Sequence, residues 1–97
     1  MVTKNILISA SVIEKLCTKH RVERREIEQC FANRSGGYLQ DTREDHQTTP
    51  PTLWFGARTN KGRLLKVVFI YIDGNIHIKS AFEPNAKEIS IYERCGR

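Results

Sequence analysis

The chain has 97 residues, 39% hydrophobic and 28% charged, which is the size and composition of one ordinary globular domain over residues 1–97. The longest strongly apolar run, 67–72, is too short to span a bilayer, and the N-terminal residues lack the apolar core of a secretory signal. Three cysteines without a CxxC pair favour a reducing compartment and argue against structural zinc. We therefore expect a cytoplasmic protein with no membrane partner.

The charge is the most informative part of the composition. The net charge is +5, from 16 basic and 11 acidic residues. Three of the acids, Asp41, Glu44 and Asp45, stand in the segment 41–51, where Arg43 is the one basic residue. The rest of the chain therefore has fifteen basic and eight acidic residues. Such an excess on a small domain suggests a polyanionic partner, either a nucleic acid or an acidic protein.

Two helices are predicted in the N-terminal third. Residues 5–9 alternate polar and apolar side chains, which indicates a short strand or an extended lead-in. Ser11 and Glu14 match the capping box S-x-x-E, which predicts a helix from there to about His20. A second helix is expected over about 23–33, because its apolar residues recur at helical spacing and a Ser-Gly-Gly sequence follows.

After residue 37 the apolar period becomes that of strands. Four candidates follow, at 38–40, 52–59, 63–72 and 75–82, with a tight turn expected at Asp73-Gly74. Pro84 is placed in the first turn of a closing helix that ends near Arg94. The predicted fold is therefore α+β: two N-terminal helices, a three- or four-stranded antiparallel β meander and a C-terminal helix, with the helices on one sheet face.

Alternation along the strands predicts a cationic face on this sheet. The residues of the last strand expected to face the core are Ile76, Ile78, Ser80 and Phe82. The cations expected to crowd the three neighbouring segments are Arg58, Lys61, Arg63, Lys66, His77 and Lys79. An exposed face of cations with an aromatic residue such as Trp54 suits phosphates and bases. The alternative is that these cations only keep a solvated face soluble.

Several short motifs of the chain resemble those of a known family. Lys19-His20-Arg21-Val22, together with Glu26 and Phe31, resembles the KHGV-type helix junction of BrnT-like toxins, which belong to the wider RelE-type group of bacterial toxins. The stretch 62–68 resembles the family's central strand, and 76–81 with Lys87-Glu88 and Tyr92-Glu93 resembles its last strand and closing helix. The resemblance covers roughly residues 11–94. Arg21 stands where the family has glycine, and Phe82 stands where it usually has a basic residue.

The resemblance implies a toxin of a bacterial toxin–antitoxin pair. The activity would be metal-independent endoribonuclease cleavage that inhibits translation, with no cofactor. The partners would be RNA, including mRNA on the ribosome, and a cognate antitoxin that covers the active face and represses the operon.

Metal-independent RNA cleavage needs proton transfer and a positive charge near the phosphate. The candidates for proton transfer are His46 and His20, and those for the phosphate are Lys19, Arg58, Arg63 and Lys79. Tyr92 is a candidate hydrogen-bond donor to the substrate, and the candidate RNA-binding residues are Lys61, Lys66, His77 and Trp54. Each has a structural alternative, since Lys19 and His20 also suit a helix end and Tyr92 also suits the core.

Two other functions remain open at this stage. One is a non-catalytic RNA- or protein-binding module of the same fold. The other is a small metal-dependent hydrolase, in which Asp41, Asp45 and His46 of the segment DTREDHQTTPP would hold the metal. The absence of a second cluster of ligands in the sequence favours a charged connection between strands, with His46 as its one candidate for chemistry.

Overall fold

The computed structural model describes residues 5–34, 36–40 and 51–95 of the protein. Its elements in chain order are β1 (Asn5–Leu7), α1 (Ala10–Lys15), α2 (Arg24–Asn33), β2 (Leu39–Gln40), β3 (Thr52–Arg58), β4 (Leu64–Ile72), β5 (Asn75–Phe82) and α3 (Ala86–Cys95). A π-helical turn, Leu16–His20, continues α1. None of the helices within the described ranges is long and apolar enough to cross a membrane.

The strands form one mixed sheet in the order β1-β5-β4-β3-β2. The first strand lies parallel to β5, and all other neighbours are antiparallel. The α+β class is confirmed, but the predicted arrangement is wrong, because a strand precedes the two helices and pairs with the last strand. The alternation in residues 5–9 therefore belongs to a strand and not to an extended lead-in.

The helix starts differ in part from those predicted. The N-cap of α1 is Ser9, whose Oγ accepts a hydrogen bond from the Val12 amide at 3.3 Å. The predicted capping box of Ser11 and Glu14 is therefore wrong. A capping box does begin α2, where the Glu26 carboxylate accepts a hydrogen bond from the backbone amide of Glu23 at 2.9 Å.

The two faces of the sheet are covered by different helices. Phe55, Val67 and Phe69 define the helix-pair face, on which α1 and α2 pack; the Phe31 ring of α2 lies 4.7 Å from the Phe55 ring, centroid to centroid. Trp54, on the opposite α3 face, lies 5.6 Å from the Tyr92 ring of α3. The prediction that all helices share one face is therefore wrong. Because β4 is apolar on both sides, it needs a covering layer on each.

A β-bulge interrupts the pairing of β4 with β5. Val68 lies opposite Ser80, but its neighbour Phe69 lies opposite Ile78, so Lys79 is an extra residue in the bulge. Strict alternation along β5 cannot continue past such a residue.

The bulge reverses the faces of the residues that follow it. Ala81 lies opposite Val67 on the helix-pair face and is fully buried, while Phe82 lies opposite Lys66 on the α3 face. The prediction that Ser80 and Phe82 share a face with the two isoleucines of β5 is therefore wrong.

Two local signals set the ends of β5. Asp73 and Gly74 both have positive φ, 52° and 81°, as the predicted tight hairpin turn requires. After the strand, Asn85 and Glu88 form a reciprocal cap, since Asn85 Oδ1 accepts a hydrogen bond from the Glu88 amide at 2.8 Å and the Glu88 carboxylate accepts one from the Asn85 amide at 3.0 Å. Pro84 therefore precedes α3 and does not lie in its first turn.

Candidate functional site

The predicted exposed cationic face does not form. Lys66, which was expected on it, is 6% exposed because α3 covers this part of the sheet. Arg63 lies on the opposite side, where its guanidinium contacts the junction between α1 and α2. The six expected cations are therefore divided between the two faces and the edges of the sheet, since the prediction assumed one uncovered face.

Arg63 connects the start of β4 to the helix junction. Its guanidinium donates hydrogen bonds to the backbone oxygens of His20 and Arg21, both at 2.8 Å, and forms ion pairs with Glu26 at 3.2 Å and Glu83 at 3.0 Å. Burial acts to lower the pKa of Arg63, but hydrogen bonds with Glu83 and Glu26 outweigh it and raise that pKa. The donors of Arg63 are therefore directed at the chain itself, which is the geometry of a structural clamp.

A cleft of about 490 Å³ separates α3 from β3 and β4. The sheet contributes Trp54, Arg58 and Lys66 to its walls, and α3 contributes Glu88 and Tyr92. Four candidate residues named from the sequence therefore line one concave site: Trp54, Arg58 and Lys66 from the strands, and Tyr92 from the closing helix. A cleft with an aromatic wall and a few charged groups is typical of a ligand site.

Two of the lining residues, Lys66 and Glu88, form an ion pair. The Lys66 ammonium lies 2.7 Å from the Glu88 carboxylate, and their side chains are 7% and 21% exposed. The ammonium also lies 4.5 Å from the centre of the Trp54 ring, close enough for a cation–π contact. The second carboxylate oxygen of Glu88 is held by the Asn85 amide. A carboxylate that can accept a proton is thereby fixed beside an ammonium that can stabilise negative charge.

Arg58 stands at the open side of the cleft. It is exposed, and one of its nitrogens, Nη1, donates a hydrogen bond to the Gly62 backbone oxygen at 2.9 Å. The side chain of Asn33 holds the same hairpin to the end of α2, through the backbone oxygen of Arg58 at 3.0 Å. Lys61 is exposed in the turn that follows. The hairpin therefore presents two cations to solvent beside the cleft.

Tyr92 packs in the core, which is the structural role that the sequence also allowed. Its ring is 8% exposed, and its hydroxyl donates a hydrogen bond to the Gly37 backbone oxygen at 2.7 Å. The ring also forms one wall of the cleft, against Trp54. Tyr92 thus joins α3 to the segment before β2, and its role toward a substrate stays a prediction.

Of the predicted residues that the structure describes, Lys19, His20, His77 and Lys79 do not line the cleft. His20 packs against the Phe82 ring at 5.5 Å, and Lys19 is exposed on the π-helical turn. His77 and Lys79 lie on β5 at a separate cavity.

The predictions made for Asp41, Asp45 and His46 lie outside the described residues. Within the described ranges, no three His, Cys, Asp or Glu side chains are grouped so as to hold a metal ion.

Sequence reasoning did not single out Glu88 as a site residue. The available signal was Asn85-x-x-Glu88, an N-cap followed three residues later by an acid, which fixes both the helix start and the direction of the carboxylate. The sequence does not show on which face of the sheet α3 packs. Because α3 packs on the face that carries Lys66, Lys66 is the partner of Glu88.

Cys30 is a buried cysteine with low reactivity. Its thiol donates to the Ala57 backbone oxygen, with the sulfur 3.6 Å away, and the residue is fully buried. Burial, with a smaller contribution from the charge of Glu26, raises the pKa of this thiol to about 12. Cys30 is therefore a core residue and not a nucleophile.

No protein-family model matches the chain, and no curated protein matches its sequence at a significant level.

Proposed function

We propose that the protein is a metal-independent endoribonuclease toxin that binds and cleaves RNA in the cleft beneath α3. The observation that carries the proposal is the convergence of Arg58, Lys66 and Glu88 beside the Trp54 ring. The net charge of +5 and the resemblance to BrnT-like toxins support RNA as the substrate.

The groups of the cleft match the demands of the reaction. A 2′-hydroxyl that attacks the adjacent phosphate must lose a proton, and the Glu88 carboxylate is the group fixed to accept it. The phosphate gains negative charge in the transition state, and the Lys66 ammonium lies beside that carboxylate. Arg58 is exposed at the cleft opening, where it can donate to a phosphate oxygen. Trp54 lines the cleft and is the aromatic residue proposed to contact the neighbouring base.

A cognate antitoxin is the proposed protein partner. A protein that covered the cleft opening would shield Arg58 and Lys61, two exposed cations, so we expect acidic side chains in the covering segment. A neighbouring gene for a small ribbon-helix-helix or helix-turn-helix protein would agree with this expectation.

A non-catalytic RNA-binding module of the same fold is the second candidate. One observation favours it: His20, the described histidine predicted to transfer protons, packs on Phe82 and does not line the cleft. In such a module the Lys66–Glu88 pair would serve only to attach α3 to the sheet.

Induced expression in bacteria distinguishes the two candidates. Growth and RNA integrity are measured for the wild type, for Glu88→Gln and for Arg58→Gln. The matched controls are Glu14→Gln and Arg25→Gln, which change exposed residues of α1 and α2. We expect growth arrest and RNA fragments with the wild type and both controls, and loss of both effects with the two cleft variants. Harmless induction of a soluble, folded wild type, with intact RNA, would refute the toxin.

A further inference from the structure

A second cavity, of about 480 Å³, lies at the β1–β5 edge of the sheet. The first strand pairs with β5 only as far as Leu7 opposite His77, and the chain then turns at Ser9 into α1. The departure of the chain opens a gap beside the continuing edge of β5. His77 and the bulge residue Lys79 line this gap, and Arg24 of α2 lines it from the other side.

The charge of this edge pocket differs from that of the cleft. None of the described residues that line it carries a carboxylate, whereas Glu88 and Glu93 both line the cleft. Its lining residues include three with basic side chains, namely Arg24, His77 and Lys79. The charged lining residues of the edge pocket are therefore all basic, although the Glu28 carboxylate outside the lining pairs with Arg24 at 2.8 Å.

The donors of the edge pocket are partly uncommitted. Within residues 5–34, 36–40 and 51–95, neither the His77 ring nor the Lys79 ammonium has a side-chain hydrogen bond or ion pair. Arg24 donates to the Glu28 carboxylate at 2.8 Å and to the Ile6 backbone oxygen at 2.6 Å. These two bonds fix the guanidinium plane, and they use two of the five N–H donors that an arginine has.

The remaining wall of the pocket is apolar. Its lining includes Leu7, Ile8, Val12 and Ile78, of which Ile78 is buried. Apolar surroundings lower the local dielectric constant, so a charge-assisted hydrogen bond formed there is stronger than one in open solvent. The volume exceeds that of one phosphate group and leaves room for an attached sugar.

We propose that the edge pocket binds a phosphate group, with Arg24, His77 and Lys79 as its donors. Guanidinium, imidazole and ammonium N–H groups are the side-chain donors that phosphate oxygens accept most strongly. The phosphate can come from an RNA strand, in which case the pocket is a second backbone contact and rests on the proposed function. It can also come from a free nucleotide, which requires no RNA activity.

Two probes separate these sources. The first is a fluorescent ten-nucleotide RNA with 2′-O-methyl sugars, which cannot be cleaved through the 2′-hydroxyl and whose affinity is measured by anisotropy at several salt concentrations. The second is adenosine 5′-monophosphate, followed through the backbone amide resonances of the protein. The variants are His77→Gln and Lys79→Gln, and the control is Lys87→Gln, an exposed cation of α3 that lines neither cavity.

We expect His77→Gln and Lys79→Gln to weaken binding of at least one probe by about 3- to 10-fold, with Lys87→Gln unchanged. For RNA, loss of one phosphate contact should also reduce the slope of log affinity against log salt by about 0.7. Nucleotide binding at the pocket without any RNA binding would support the pocket while contradicting the proposed function. RNA binding that neither pocket variant weakens, with no nucleotide-induced shift at residues 7 and 77–79, would overturn the pocket and leave the proposed function standing.

Discussion

Replacing Lys66 with methionine tests the attachment of α3 to the sheet. The variant keeps most of the buried side-chain volume but removes the ammonium that lies 2.7 Å from Glu88 and 4.5 Å from the Trp54 ring. Removing one partner of a buried ion pair costs about 3–5 kcal/mol. The Glu88 side chain is 21% exposed and keeps the hydrogen bond from the Asn85 amide. We therefore expect a smaller loss of unfolding free energy, about 2–3 kcal/mol.

This loss is large for a domain whose unfolding free energy is about 5–15 kcal/mol. It should lower Tm by about 10 °C or more, measured by circular dichroism together with urea unfolding. The double variant Lys66→Met/Glu88→Gln removes both charges of the ion pair and keeps an acceptor for the Asn85 amide. We expect it to lie within about 1 kcal/mol of the wild type, and the exposed control Lys87→Met within about 0.5 kcal/mol. A Lys66→Met variant as stable as the wild type, or a double variant no more stable than Lys66→Met, would refute the reasoning.

Three further predictions concern single residues. Replacing Arg63 with lysine keeps the charge but loses the planar fork, so we expect a loss of about 2 kcal/mol in urea unfolding; unchanged stability would contradict its role as a clamp. Arg21 has a φ of 54°, a left-handed conformation that favours glycine, so Arg21→Gly should add about 0.5–1 kcal/mol to the free energy of unfolding. The control Ala32→Gly, at an exposed position of α2, should lower it by about 1 kcal/mol. Destabilisation by both variants would contradict this prediction. Because its pKa is raised to about 12, the Cys30 thiol should stay unalkylated at pH 8 under conditions that label exposed Cys17, as mapped by peptide mass spectrometry; equal labelling in the folded state would disprove this.

The predictable parts of the fold are those with local signals. The bounds of β5 agree with the prediction because the Asp73-Gly74 turn precedes the strand and the Asn85 cap follows it. The second helix agrees within one residue for a similar reason, since its apolar stripe is periodic and a Gly-Gly pair follows. Such signals depend on residues a few positions apart, which the sequence displays directly.

The parts that failed depend on distant contacts. The strand β1 has three residues, and its parallel partner, Asn75–His77, lies seventy residues further along the chain. No pattern of neighbouring residues can therefore predict this pairing. The bulge at Lys79 is equally hidden, because it is defined by the register of β5 against β4. The bulge takes Lys79, a residue of the predicted cationic face, out of the strict alternation along β5.

Some of the residues that line the cleft were named as candidates from the sequence, but Glu88 and the arrangement of the cleft were not. Trp54, Arg58, Lys66 and Tyr92 were all named from the sequence, and all line the cleft. Their grouping depends on α3 crossing the face opposite α1 and α2. An amphipathic pattern indicates that a helix packs on a sheet but not on which side. The face that was predicted to be exposed is therefore covered by α3 in the structure.

The central claim is tested most directly by purified protein acting on RNA in the presence of a metal chelator, with and without ribosomes. We predict cleavage that leaves 2′,3′-cyclic phosphate and 5′-hydroxyl ends, because the 2′-hydroxyl is the nucleophile. The rate should fall by about 10²- to 10⁴-fold in Glu88→Gln and stay unchanged in Glu14→Gln, with both variants folded. Intact RNA under both conditions, or cleavage by Glu88→Gln at the wild-type rate, would contradict the account.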